Sequence, residues 1–234
     1  SMGITAENVA KKFNITRKEQ QDFAISSHSK ANLARESNMF DNEIVSISNN
    51  DETINKDGGI RPNTSHEILD GLKLAFDENG TVTAGTASPL TDGASAVIVC
   101  EEEYAKKNNL NILARIKSTA VVGCPPELMG LGPINASKKA LKRANLSISD
   151  IDIVELNEAF ASQSLACIKE LKMDINKVNI HGGAIALGHP LGATGARITG
   201  KVATLLQNNN KKYGLATQCI GLGQGIATVL ENIN

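Results

Sequence analysis

The chain has 234 residues, of which 41% are apolar and 21% charged, and its formal net charge is -1, ordinary figures for a globular protein with room for a sizeable core in one or two domains. Five Phe, two Tyr and no Trp offer no stacking platform, and the balanced charge gives no basic field, so nucleic acid is not expected as a partner. No apolar run approaches the length that spans a bilayer, so no membrane partner is expected either.

The four cysteines, Cys100, Cys124, Cys167 and Cys219, lie far apart and show no CxxC spacing. A reducing compartment is the default for such a chain, and no metal site is expected. Ser1-Met2-Gly3 runs directly into a helical pattern with no signal or transit segment. Thr5 is placed to cap a first helix in which Ala6, Val9, Ala10 and Phe13 recur at helical spacing. Thr16 and Glu19 form a capping box ahead of a longer helix that runs to about Asn38. Glu43 to Ile47 reads as a short strand, and the polar, Gly- and Pro-bearing stretch from Asn49 to Ser65 reads as a surface excursion. Residues 1–80 are thus expected to form a helical, loop-rich layer holding Arg61 and Leu72; by composition alone the first is a solvated cation and the second a core residue.

Beyond Gly80 the pattern changes. TVTAG and the apolar run Ala96 to Cys100 read as two buried strands around a small-residue turn containing Ser88. From Asn111 onward strand and helix periods alternate: strands at ILARIKS, IDIVEL, VNI, GLATQCI and GIATVLE, helices at 134–145, 158–172 and about 191–208. This is an α/β unit over 111–234. Its unusual motifs fall in the turns after strands, where ligands of such sheets sit: MGLGP with Met129, Asn157 to Phe160, His189 in the Gly-rich run HGGAIALGHPLGATGARI, and Cys219 leading into GLGQG.

Asn157, His189, Cys219 and Gly221 together supply an amide, an imidazole, a thiol and a glycine-turn N–H, a set suited to acyl transfer or carbon-acid chemistry. Cys219 titrates near neutrality if the local field favours thiolate; the plainer reading is a buried packing thiol. Cys100 in an apolar strand and Cys167 on a helix read more strongly as packing residues, and Cys124 is a loop thiol.

NEAF at 157–160, GGAIALGHPLGATGARI at 182–198 and CIGLGQG at 219–225 resemble the signature blocks of the thiolases. The likeness extends, in the same order, to MGITAENVA near the start, GTVTAG and TDGASA around residue 90, and MGLGP at 129–133. It is most similar to the acetyl-CoA acetyltransferases of that family.

The resemblance implies a thiolase-like α/β fold. Residues 1–80 would form a loop domain, 81–110 a remnant of the N-terminal half, and 111–234 a complete C-terminal βαβαβαββ half. It implies condensation of two acetyl-CoA to acetoacetyl-CoA and the reverse thiolysis, with coenzyme A thioesters as substrates and no separate cofactor. In this scheme His189 activates the nucleophile and, with a water held by Asn157, stabilises the enolate oxygen. Cys219 takes the methyl proton and protonates departing CoA, and the N–H of Gly221 serves a second oxyanion hole. Ser88 matches a serine that meets pantetheine; Met2, Met129, Ala159 and Phe160 match the lining of the acyl and pantetheine channel; Arg61 and Leu72 align with the nucleotide end. The chain departs from the family at Thr86 and His181, where Asn is common, and at Leu222, where a third Gly is common. The family's acyl-carrying cysteine precedes MGITAENVA and has no match here, so the chain resembles a C-terminal portion, inactive alone, whose 81–110 segment lacks its strand partners. The full-length protein would be a homo-oligomer, a dimer or tetramer, in the cytoplasm or the mitochondrion. The alternatives are a non-catalytic CoA-binding or structural relative, and a 3-ketoacyl-CoA thiolase of longer-chain specificity.

Overall fold

A computed structural model describes residues 1–49 and 52–233. Helix α1 (Met2–Phe13) is capped by Ser1 rather than Thr5, whose hydroxyl instead donates to the Met2 carbonyl. The helix therefore starts a turn earlier than its apolar spacing indicates. Helix α2 (Arg17–Glu36) carries the expected capping box: Glu19 accepts from Thr16 while the Thr16 hydroxyl accepts from the Glu19 N–H.

The strand expected over Glu43 to Ile47 is displaced. Strand β1 (Ile47–Asn49) pairs antiparallel with β2 (Glu52–Ile54), and Ile44 N–H is held instead in a turn by the Phe40 carbonyl. Asn50 and Asp51 of the polar excursion lie outside the described residues. Its far end carries the short helix α3 (His66–Asp70), capped by Ser65.

Residues 81–100 do not form the two buried strands that their apolar pattern suggests. Two isolated bridges, Leu74 to Thr83 and Ala87 to Phe160, and a single 3-10 turn at Ala84–Thr86 occur there. Ile98 is 91% exposed and Cys100 is exposed, because a strand needs a paired neighbour and the described residues offer the run Ala96 to Cys100 none. Ser95 ties the segment to the Ala193 carbonyl, at 2.6 Å.

After α4 (Glu102–Lys107) comes the sheet unit: β3 (Arg115–Gly123), α5 (Gly132–Ala144), β4 (Ile153–Leu156), α6 (Ala161–Leu171), α7 (Ala184–Leu187), α8 (Thr194–Asn208), β5 (Tyr213–Ile220) and β6 (Gln224–Glu231). The four-stranded sheet has the order β3-β6-β5-β4, with β4 parallel to β5 and the other pairs antiparallel. VNI, expected as a strand, contributes only a bridge of Val178 to Val154, because Asn179 turns its side chain onto the Leu156 N–H and carbonyl.

The sheet is covered on both faces. Val154, Leu156, Leu215 and Val229 pack with α5 and α6, while Ile153, Ala216 and Leu230 pack with Ile198, Val202, Leu205 and Leu206 of α8. This alternation follows the two-residue period of strands and decides which side chains of β4 and β5 face which helix. Gly132 and Gly225 permit the close seat of α5 on β6, since a Cβ on either would overlap the other's backbone.

Candidate active site at the strand ends

The carboxyl ends of β4 and β5 hold the site. Asn157 N–H continues the β4–β5 ladder by donating to the Thr217 carbonyl at 3.0 Å, which fixes the NEAF turn beside the end of β5. Glu158, fully buried, then accepts from the Ser27 hydroxyl (2.6 Å), the Asn179 amide (2.8 Å) and the Ile185 N–H (3.1 Å). Ser27 in turn accepts from Gly183 N–H. One carboxyl thereby ties the NEAF turn to α2 and to the Gly-rich run that leads to His189. The room is made by glycine: a side chain at Gly183 would run into the Glu158 carboxyl, and Gly182 sits at φ +77° against the α2 backbone.

His189 Nε2 lies 3.4 Å from Asn157 Nδ2, and its Nδ1 lies 2.7 Å from the Thr194 hydroxyl. That hydroxyl donates to the Pro190 carbonyl, at 3.0 Å. With its one proton so used, Thr194 accepts from His189 Nδ1–H, and the network assigns the Nε2 lone pair to the side facing the Asn157 amide. His189 N–H donates to Thr91 Oγ1 at 3.2 Å, holding the turn from the other flank. Burial first, and then the Arg197 guanidinium, depress the His189 pKa, so the imidazole is a neutral ring offering a basic nitrogen.

Cys219 packs in a small buried cluster with Met129, Ala159 and the half-buried Phe160. Burial pushes its thiol up to about 12, so the local field does not favour thiolate, the condition on which titration near neutrality depended. No cationic partner offsets that burial among the described residues, so Cys219 here is a protonated thiol poised to donate. Cys167 is buried and held at the Gly130 carbonyl, as its helical setting suggested. Exposed Cys100 contradicts its reading as a buried strand residue.

Ser88 donates through both its N–H and its hydroxyl to the Ala159 carbonyl, at 3.0 and 3.1 Å, and so abuts the same cluster. Met2 Cε lies 3.5 Å from the place a Cβ on Gly221 would take, bringing α1 to the Cys219 turn. In that turn Leu222 holds φ +67° and Gly223 φ +95°, with the Gly223 carbonyl accepting from Cys124 N–H. Arg61 and Leu72 stand apart from these groups: Arg61 N–H donates to His28 Nδ1, and Leu72 packs at the margin of the main core beside Gly85. Sequence reasoning missed Phe76, which stacks edge-on against Phe160 at 6.0 Å, and the hydroxyls of Thr91 and Thr194. Thr194 was accessible in principle, as a hydroxyl one helical turn beyond His189.

Two family models cover nearly all of the chain: the thiolase N-terminal domain over residues 1–103 and the thiolase C-terminal domain over 110–232. The chain belongs to the thiolase family. It is 54% identical to the 3-ketoacyl-CoA thiolase of Shewanella loihica over 98% of its own length and 62% of that protein's, and 52% identical to the enzyme of the same name from Vibrio vulnificus, again over 62% of the relative. Among solved structures it superposes on human mitochondrial 3-ketoacyl-CoA thiolase in complex with CoA with a TM-score of 0.97 and 45% identity, covering 99% of this chain and 59% of that one. Against the Bacillus anthracis acetyl-CoA acetyltransferase the TM-score is 0.95 at 43% identity, covering 60% of that chain. The chain thus spans about three fifths of the thiolases it matches. The α/β thiolase fold is as the motifs implied. The relatives' names favour the 3-ketoacyl-CoA branch over the acetyl-CoA acetyltransferases to which the motifs looked most similar. Among the described residues no helix is long and apolar enough to cross a membrane.

Proposed function

We propose that this chain supplies the carbon-acid half of a 3-ketoacyl-CoA thiolase, cleaving 3-ketoacyl-CoA with CoA to acetyl-CoA and a shortened acyl-CoA, or running the reverse condensation. The observation that carries the reading is the neutral His189, its Nε2 paired with the Asn157 amide, on the turn neighbouring the protonated Cys219. In cleavage the C2–C3 bond breaks. The acyl carbon passes to a thiol nucleophile, and the electron pair left on C2 becomes the enolate of acetyl-CoA. His189 Nε2 takes the proton of that thiol and, now bearing an N–H, holds the enolate oxygen together with Asn157. Cys219 gives its proton to C2, the resulting thiolate recovers a proton from the CoA thiol that then attacks the acyl intermediate, and the His189 proton returns to the nucleophile as the acyl group leaves on CoA. Gly221 N–H serves the oxyanion of the acyl carbonyl. Met2, Met129, Ala159, Phe160 and Ser88 line the thioester's approach, and Arg61 and Leu72 lie toward the nucleotide.

The acyl-carrying cysteine of the family has no motif match among the four cysteines here, so the full cycle is expected to need a matching N-terminal half. The test is thiolysis across a chain-length series from acetoacetyl-CoA to 3-ketohexadecanoyl-CoA, by the chain alone and mixed with such a half. Activity on the mixture that favours the longer substrates supports this reading. A preference for acetoacetyl-CoA moves the protein to the acetyl-CoA acetyltransferases, and CoA binding without turnover in any mixture makes it a non-catalytic relative.

A further inference from the structure

The first two turns of α2 grip a stretch that the proposed reaction does not use. Arg17 stands at the helix start, and its Nη2 alone donates to three main-chain oxygens, those of Leu69 (3.0 Å), Asp70 (3.1 Å) and Leu72 (2.8 Å). An Nη2 has two hydrogens for these three acceptors, so one is shared. The acceptors belong to the end of α3 and the turn after it, where carbonyls lack helical partners and a cation is favoured. Nε of the same guanidinium is buried without a partner among the described residues. The side chain is thus committed to the main chain of the 69–72 turn.

Three neighbours on α2 hold the same excursion through side chains. Gln21 Nε2 donates to Asp70 Oδ1 at 2.8 Å, His66 Nε2 lies 2.8 Å from Asp22 Oδ1, and Gln20 Nε2 donates to Thr81 Oγ1 at 2.9 Å. Arg17 is the one of the four that grips backbone. What that backbone carries is a pair of leucines: Leu69 is buried, Leu72 partly so, and both fill the space in front of Gly85, where a Cβ would overlap them. The Ala84–Thr86 turn therefore rests directly on the two side chains. Its exit is tied to the site, since Ala87 bridges Phe160 and Ser88 bonds the Ala159 carbonyl.

We propose that Arg17 is a positioning residue for the coenzyme A thioester: by gripping the carbonyls of Leu69, Asp70 and Leu72 it sets the leucine ledge under the Ala84–Thr86 turn, and with it the spacing between Leu72 and the wall of Ser88 and Phe160. The proposal deepens the thiolase reading, and rests on it for the placing of Leu72 toward the nucleotide and of Ser88 and Phe160 along the thioester. Asn157, His189 and Cys219 are held by other contacts: the β4–β5 ladder, the Thr194 hydroxyl and the packing of Met129 with Cys219. Loss of Arg17 therefore weakens thioester binding and leaves the chemical step in place.

The test pairs amide hydrogen exchange with kinetics, on the chain mixed with a matching N-terminal half. Arg17→Gln should speed exchange at the N–H groups of Leu72 and Thr86, which donate to the Leu69 and Thr83 carbonyls, and leave that of Asn157 unchanged. KM for 3-ketoacyl-CoA should rise about tenfold with kcat held within about twofold, the pattern of lost uniform binding. Where there is no turnover, the Kd of CoA by calorimetry takes the place of KM. Gly85→Ala presses on the same leucines from the other side, so it should raise KM with Arg17 intact, and the double variant should do no more than the larger single effect; it also serves if Arg17→Gln does not fold. Arg17→Lys, which keeps a cation with N–H donors, should restore most of the affinity. Exchange raised throughout, Asn157 included, makes Arg17 merely structural and overturns the proposal, as do an unmoved KM or a loss confined to kcat. Local exchange with weakened CoA binding but no thiolysis sinks the thiolase reading alone, and thiolysis with an unmoved KM sinks the ledge alone.

Discussion

Asn157 and His189, 32 residues apart in sequence, meet with Nδ2 and Nε2 3.4 Å apart. Neither is placed by its own element alone. Asn157 is held by the β4–β5 ladder through the Thr217 carbonyl, and His189 by Thr194 and Thr91. Replacing Asn157 with Ala keeps that backbone bond and removes only the amide. Thiolysis by the complemented protein is expected to fall by about 10²–10³, the scale of losing one oxyanion donor, with denaturant stability lowered by about 1 kcal/mol. Steady-state kinetics and urea unfolding check the two together.

Glu158 is expected to matter for stability more than any other polar residue of the NEAF turn. Glu158→Gln keeps the size but cannot accept from Ser27, Asn179 and Ile185 N–H at once. One buried donor is then left unpaired, at a cost of about 1–3 kcal/mol. Urea midpoints should show it, and Ser27→Ala should show a smaller loss.

Acid stability should depend on His28. The ring is buried and accepts from Arg61 N–H, and burial, then the Arg61 charge, lowers its pKa from 6.5 to about 4. A base whose folded pKa is depressed favours the fold while neutral. Its contribution is present above pH 6.5 and is lost as pH falls toward 4. The loss should be about 2 kcal/mol, allowing for solvent that still reaches the ring. In His28→Asn the amide oxygen replaces Nδ1 as acceptor, and stability measured from pH 7 to pH 4 should flatten.

Leu222, 89% exposed at φ +67°, holds a conformation that side chains disfavour. Leu222→Gly relieves about 1 kcal/mol of strain and adds roughly 0.5–1 kcal/mol of chain entropy cost. The two nearly cancel, so the urea midpoint should barely move. A loss well above 1 kcal/mol would mean that Leu222 packs against something its exposure does not show.

Helices were legible wherever a cap and an apolar period coincided, as at Thr16 and Glu19. At α1 the apolar period alone pointed to Thr5, while the cap was Ser1, the residue before the pattern. Buried strands were misread where apolar runs lacked partners: Ala96 to Cys100 has the composition of a core strand, but pairing is a property of the neighbour, not of the run. VNI failed for a different reason, because the Asn179 side chain takes the Leu156 backbone positions that a further strand residue would use. The motifs placed Asn157, His189 and Cys219 at neighbouring strand ends. They did not give the charge state of Cys219, which depends on how completely Met129, Ala159 and Phe160 close over it.

The central claim is that Cys219 is the proton donor to carbon. Its most direct test is incorporation of deuterium from D2O into the methyl group of acetyl-CoA by the complemented protein, compared with Cys219→Ala under the same conditions. The account predicts exchange that disappears in Cys219→Ala while CoA binding is retained. Exchange undiminished in Cys219→Ala would contradict it.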